Sequence, residues 1–288
     1  MDKVISIIGG DLRIVKLIDI LIQDGYKVYT YGLEKMEKKE NVFFCDSLTD
    51  AIKEAVIVLG PMPLTSDRTN VSTPFSDKKI DLNELLENLN GKRFIAGNII
   101  EPVRRKLEEK SIQYTDLLSR EELVVLNTIA TAEGAIQIAM QETLKTLHGS
   151  NVLVMGFGRV GKILAKTLAG IGANVYCEAR KNEDIAWITA YGYNPVHIKN
   201  LNKVIGKFDI IMNTIPSIVL DNTSIKLLKK DCLIIDLASY PGGVDIKAAK
   251  DKNIKSIWAL SLPGKVAPVT SAEFIKETLD NIILELAN

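Results

Sequence analysis

Gly156, Gly158 and Gly161 stand at GxGxxG spacing in "NVLVMGFGRVGKILAKTLAG", between a run of apolar residues and a helical pattern. That order is the chemistry of a dinucleotide loop. The first glycine permits a tight turn, the second lets backbone approach a pyrophosphate, and the third lets helix and strand pack closely. The helix that opens at Arg159 and Val160 offers N–H donors and a partial positive charge to the phosphates. The next strand ends in "CEARK", so Arg180 and Lys181 follow it. A carboxylate there would bind ribose hydroxyls and repel a 2′-phosphate, whereas a guanidinium forms charge-assisted bonds to phosphate. Arg180 and Lys181 therefore select NADP(H) over NAD(H). Glu178 shares a strand face with Arg180. It either pairs with that arginine or touches a ribose.

Two further strand ends belong to the same cleft, because open α/β sheets bind ligands beyond the carboxyl ends of their strands. "NTIPS" contributes Asn213, Thr214, Ile215 and Pro216, and "DLASYPGG" contributes Leu237 and Ala238 beside the nicotinamide. "LPGKVAPVTSAE" reads as the last loop before the final helix.

Positioning these residues requires two α/β blocks. In the first, strands are expected in "VISIIGG", "YKVYTYG", "AVIVLGPMP" and "RFIAGN", with helices in "IVKLIDILIQ" and "EPVRRKLEEK". In the second, strands are expected in "NVLVMG", "ANVYCEA", "FDIIMNTIP", "CLIIDLAS" and "IKSIWAL". Apolar runs alternating with amphipathic segments give parallel sheets. A long helix, roughly Thr128 to Leu147, joins the blocks and is capped by His148; a final helix follows Pro268. The fold class is α/β, with two Rossmann-like doubly wound domains and a substrate cleft between them. Residues 1–126, joined by the helix at 270–288, form the substrate domain; residues 127–269 form the cofactor domain. The stretch from Pro61 to Ile80 lacks periodicity and reads as a functional loop.

Composition narrows the class. Lys plus Arg and Asp plus Glu number 36 each, so nothing in the net charge favours nucleic acid or an acidic membrane surface. No apolar run approaches the roughly 18 residues of a spanning helix. The cysteines, Cys45, Cys177 and Cys232, are scattered, with no metal spacing and no disulfide framework. A cytoplasmic, metal-free protein is expected.

"IIGGD", "GSNVLVMGFGRVGK", "NTIPS", "DLASYPGG" and "LPGKVAP", with "STPFS" and "AEGAIQIAMQ", together resemble the A subunits of dipicolinate synthase. The matches run along the whole chain. The plan is also similar to that of D-2-hydroxyacid dehydrogenases. The first resemblance implies NADP-dependent oxidation of a dihydrodipicolinate-type precursor to pyridine-2,6-dicarboxylate, in the mother-cell cytoplasm of sporulating bacteria, with a flavoprotein-like B subunit. Self-association stays open. Some relatives carry an arginine where Tyr240 stands here.

The substrate so implied is a small dicarboxylate. Carboxylates want hydroxyl, N–H or cationic donors. Ser72 and Thr73 in the long loop, Ser239, and the N–H groups of Gly242 and Gly243 are the candidates for binding it; Ser76 and Arg68 lie in the same loop as Ser72. Ser239 and Lys265 are the candidates for chemistry, with no general base identified. The only histidines are His148 and His197, and neither follows "DLAS", where a 2-hydroxyacid dehydrogenase keeps its acid/base. That argues against the alternative of a 2-hydroxyacid dehydrogenase. A non-catalytic NADPH-binding scaffold is the third reading.

Overall fold

The computed structural model describes residues 3–287. Two compact units share the chain: one runs to Leu126 and resumes at Ala267, and the other spans Asn127–Val266.

The first unit is built from β1 (Val4–Ile8), α1 (Leu12–Gln23), β2 (Lys27–Tyr31), β3 (Val42–Phe44), α2 (Leu48–Lys53), β4 (Ile57–Leu59), α3 (Leu82–Asn88), β5 (Arg93–Ala96), α4 (Glu101–Glu109) and β6 (Gln113–Asp116). Its six strands are all parallel, in the order β3-β2-β1-β4-β5-β6. β1 is a nearly unbroken apolar run because both faces of a parallel sheet are covered by helices. α1 starts where the Asp11 carboxylate accepts the Arg13 N–H, and it buries Ile14, Leu17, Ile18 and Leu21 at helical spacing.

The second unit comprises most of α5 (Glu121–Glu142), then β7 (Asn151–Met155), α6 (Arg159–Gly170), β8 (Asn174–Ala179), α7 (Asn182–Ala190), β9 (Asn194–His197), α8 (Leu201–Val204), β10 (Ile210–Asn213), α9 (Asn222–Ile225), β11 (Leu233–Asp236), α10 (Ile246–Asp251), β12 (Lys255–Trp258) and α11 (Leu262–Val266). Its parallel sheet runs β12-β11-β10-β7-β8-β9. Both units thus carry the strand order of a dinucleotide-binding sheet, reversing direction between their first and fourth strands.

The closing helix, α12 (Pro268–Ala287), belongs to the first unit. Ala272, Ile275, Leu279 and Ile282 share a core with Leu17, Ile18 and Leu21 of α1. Lys276, nearly buried, bridges Asp24 and Asp280 at 2.7 Å each. Arg120 holds Glu285 at 2.6 Å.

Several expectations need correction. The long helix runs from Glu121 to Glu142, not from Thr128 to Leu147. Glu121 and Glu122 suit the positive end of a helix and start it early. Beyond Glu142 the chain leaves the helix: Lys145 pairs with Asp209 (3.3 Å) and Asp231 (2.7 Å), and Leu144 is fully exposed. His148 therefore caps nothing in α5; its ring lies against Gly172. The segment at Leu262, expected as a loop, is the short helix α11, and α12 begins at Pro268. β3, β6 and β9 are additional strands. All three lie at sheet edges, where polar residues and Pro195 are tolerated. Among the described residues one helix, α5, is long and apolar enough by length and composition to cross a membrane. Its Ala132, Ala135, Ile136 and Ala139 lie in the core of the second unit, which is why it is apolar.

Candidate functional site

The glycine loop connects β7 to α6 at the point where the second sheet reverses direction. Gly156 has φ +87°, and a Cβ there would lie 2.5 Å from Thr214 Oγ1. A Cβ on Gly161 would lie 2.0 Å from the Gly156 carbonyl oxygen. Both positions are therefore forced to glycine by the protein's own packing. Gly158 is different: a Cβ there would meet nothing within 4 Å. Packing gives no reason for glycine at Gly158, whereas close approach of a pyrophosphate does. Gly158 is also the N-cap of α6, with no side-chain cap on the helix. The first N–H groups of α6, from Arg159, Val160 and Gly161, have the placement that holds phosphate. The residues present fit a dinucleotide.

Opposite the loop, β10 ends at Asn213 beside β7. Thr214 clamps the two strands, its N–H and hydroxyl both donating to the Met155 carbonyl at 2.9 and 2.8 Å. Ile215 packs on Gly156. Pro216 follows in the turn.

At the end of β8 the three charged residues separate by role. Glu178 is 1% exposed and turns inward, accepting the Gly156 N–H at 3.3 Å. Burial pushes its carboxyl above the usual range, opposed by the Gly156 N–H and by the charge of Arg180. It forms no ion pair with Arg180, and its hydrogen bond goes to the Gly156 N–H of the loop. Arg180 is exposed and makes no ion pair among the described residues. Lys181 pairs with Glu183 at 3.0 Å.

A buried carboxylate organises the next strand end. Asp236, 1% exposed at the end of β11, accepts the Asn213 side-chain amide (2.8 Å) and the N–H groups of Ala238 (3.1 Å) and Gly243 (2.8 Å). The Gly242 N–H donates to the Ser239 carbonyl at 2.8 Å. Neither glycine N–H is therefore available to a substrate carboxylate, a correction to their expected role: both are held in the turn that shapes this loop. Asn213 is itself fully buried, with its amide on Asp236 and the Ile215 carbonyl. Its side chain braces the cofactor loops from within. The Trp258 indole N–H fixes the Ala238 carbonyl at 2.8 Å. Leu237 is half-buried, and Ala238 is buried. The Ser239 side chain is exposed, and among the described residues its hydroxyl has no partner. Lys265 is exposed on α11.

In the first unit, Ser72 and Thr73 lie at that unit's own reversal point. The Gly10 N–H donates to the Ser72 carbonyl at 3.0 Å. A Cβ on Gly9 would lie 2.7 Å from that same oxygen and 3.0 Å from the Thr73 methyl. The "IIGGD" turn thus clamps the Ser72–Thr73 segment against β1. The Thr73 hydroxyl donates to the Lys78 carbonyl within its own loop, and the Ser76 hydroxyl accepts the Lys78 N–H, both at 2.9 Å. Arg68 instead lines a cavity of about 130 Å³ with Leu82, Leu86 and Lys106.

Other reactive groups are accounted for structurally. His197 accepts the Lys199 N–H at 3.2 Å and starts a short turn. Cys177 and Cys232 are buried, and burial pushes both thiols up to about 12, too high for a nucleophile near neutral pH. Asp236 escapes a motif-based reading. Its one signal in the sequence is a charged residue closing the all-apolar run "CLIID".

Comparison with known proteins gives two family matches that divide the chain. Residues 4–118 match the N-terminal domain of the dipicolinate synthase A subunit, and residues 127–239 match the NAD-binding domain of D-isomer specific 2-hydroxyacid dehydrogenases. The second match makes this a nicotinamide-dinucleotide domain of oxidoreductase type. The chain is 33% identical to the dipicolinate synthase A subunit of Bacillus subtilis, covering 98% of this chain and 96% of that one. Solved structures of the A subunits from Bacillus halodurans and Bacillus subtilis each superpose with a TM-score of 0.88, at 29% and 31% identity. They cover 98% and 100% of this chain, and 98% and 97% of theirs. D-lactate dehydrogenase from Escherichia coli superposes at 0.64 with 14% identity, covering 99% of this chain and 97% of that one, a likeness of fold alone.

Proposed function

The chain belongs to the family of dipicolinate synthase A subunits, and from that premise we propose that it oxidises a dihydrodipicolinate-type precursor to pyridine-2,6-dicarboxylate with NADP⁺. The observation that carries the reading is the full-length relationship, joined to a glycine loop whose following strand ends in an exposed Arg180. In this reading the first N–H groups of α6 hold the pyrophosphate, and Arg180 with Lys181 holds the 2′-phosphate. Glu178, turned under the loop, leaves the ribose side of the site to those cations.

Aromatising the ring requires loss of one hydride and one proton. When bound, the nicotinamide supplies the hydride acceptor. The chain's part is to hold the dicarboxylate in place, and orientation alone can contribute several kcal/mol to the rate. Ser239, carried on a loop that Asp236 ties to β10, offers a hydroxyl with no partner among the described residues. The Ser72 hydroxyl is likewise without a partner among them, and Thr73 stands beside it. Aromatisation is favourable, so proton loss needs no strong base, and none is assigned. The reaction belongs to the mother-cell cytoplasm of a sporulating bacterium, in partnership with a B subunit.

Reconstitution tests the proposal. The purified chain, with and without a B subunit, is mixed with dihydrodipicolinate and NADP⁺, and NADPH and pyridine-dicarboxylate absorbance are followed. Stoichiometric appearance of both supports it. Tight NADPH binding with no turnover under either condition would leave a nucleotide-binding scaffold in its place.

A further inference from the structure

Tyr240 and Trp258 form an exposed aromatic pair at the carboxyl edge of the second sheet. Tyr240 is 82% exposed and Trp258 39%. Their rings are stacked at 29° with centroids 6.4 Å apart. A tyrosine so exposed would ordinarily be a mobile surface side chain. Here its surroundings are fixed. Trp258 ends β12 and is pinned through its indole N–H to the Ala238 carbonyl at 2.8 Å. The loop carrying Tyr240 is tied at both ends to the buried Asp236, through the Ala238 and Gly243 N–H groups. Gly242, with φ +84°, lets the turn pass over the indole; a Cβ there would sit 3.4 Å from that ring. A buried carboxylate, a left-handed glycine and an anchored indole thus present one aromatic face to solvent next to Ser239.

We propose that Tyr240 and Trp258 are the platform on which a flat, aromatic-ring dicarboxylate is seated, with recognition by ring stacking beside the Ser239 hydroxyl. This rests on the dipicolinate reading of the same site and deepens it, because it assigns ring recognition to residues outside the cofactor motif. Stacking suits a product whose ring is planar and electron-poor. A saturated ring carrying the same two carboxylates presents no π face and should be held less well. A contact of this kind is worth about 2- to 12-fold in affinity.

The chain has two tryptophans, Trp187 and Trp258, so Trp187→Phe leaves Trp258 as sole indole emitter. The full chain in that background, saturated with NADP⁺, is titrated with pyridine-2,6-dicarboxylate and with cyclohexane-1,3-dicarboxylate. Trp258 emission is followed, and calorimetry of the unmodified chain runs in parallel. The expected results are a saturable emission change with the pyridine, an affinity about 2- to 12-fold weaker in Tyr240→Ala, and near-native affinity in Tyr240→Phe. An unchanged affinity in Tyr240→Ala overturns the platform, as does equal binding of the saturated ring. Calorimetric binding without any response of Trp258 overturns it too. All three leave the dipicolinate reading standing. Absence of calorimetric binding to the unmodified chain removes that reading and the platform together.

Discussion

Replacing Arg180 and Lys181 by alanine should change which cofactor binds while leaving the fold alone. Arg180 is exposed and makes no ion pair among the described residues, so its loss removes no salt bridge from the fold. Lys181 gives up one solvent-exposed pair with Glu183, which water screens and which contributes little to the fold. A charge-assisted hydrogen bond to a 2′-phosphate is worth roughly 1.5–3 kcal/mol. At about 1.4 kcal/mol per decade, NADPH affinity should fall roughly 10- to 150-fold. NADH lacks that phosphate and should change far less. The lower half of the range applies in moderate salt, because an exposed contact is screened. Fluorescence titration of both cofactors, at low and high ionic strength, checks this. An NADPH/NADH affinity ratio that does not move would refute the reasoning and return the choice of cofactor to the backbone or to Glu178.

Two glycines of the loop should respond in opposite ways. Gly158→Ala meets open space, so thermal unfolding should be shifted little while cofactor affinity drops; Gly161→Ala would place a carbon 2.0 Å from the Gly156 carbonyl oxygen and should destabilise the unit itself, read by unfolding without cofactor. Glu178→Gln should uncover a pH dependence. Burial raises the Glu178 carboxyl in the folded state above its ordinary 4.5, so its contribution is intact below that value and is lost as pH rises through the folded value. Unfolding at pH 4 and pH 7 should show the glutamine variant gaining on the native chain as pH rises; parallel curves would refute it. Ile275→Ala in α12, fully buried against the first unit, should cost about 2–5 kcal/mol in urea unfolding.

Much of this architecture is legible in the sequence because its signals are redundant. The glycine loop announces itself through spacing, a preceding apolar strand and a following helix, and each has a separate physical cause. Central strands are equally plain: "VISII" and "LIID" lie under helices on both faces and must be apolar almost throughout. Edge strands are not. "QYTD" and "NPVH" have one open side, so water satisfies what a neighbour would otherwise bond, and their composition carries little constraint. The direction of strand-end side chains is also hidden. Asn213 sits at a cleft-lining position by sequence, yet its amide turns inward to Asp236 because that carboxylate is buried and must be satisfied. The same demand takes the Gly243 N–H. Ser239 escapes it, so a hydroxyl that looks interchangeable with its neighbours is the one left outward. Nothing local predicts such a competition for donors; it arises only when two strands are placed side by side.

The return of α12 to the first unit bears on how the chain is made. The second unit is continuous from Asn127 to Val266, and every strand of its sheet has been synthesised before α12 exists. The first unit begins earlier but is completed later, since Leu17, Ile18 and Leu21 of α1 lack part of their core until Ile275 and Leu279 arrive. At about 5–20 residues per second, that wait lasts about 13–50 s on the ribosome. The leading unit is thus the last to have all of its residues synthesised. An apolar helix face left open for that time is a target for chaperones, and a premature stop before α12 would leave the amino-terminal half unfinished and the carboxyl-terminal half whole.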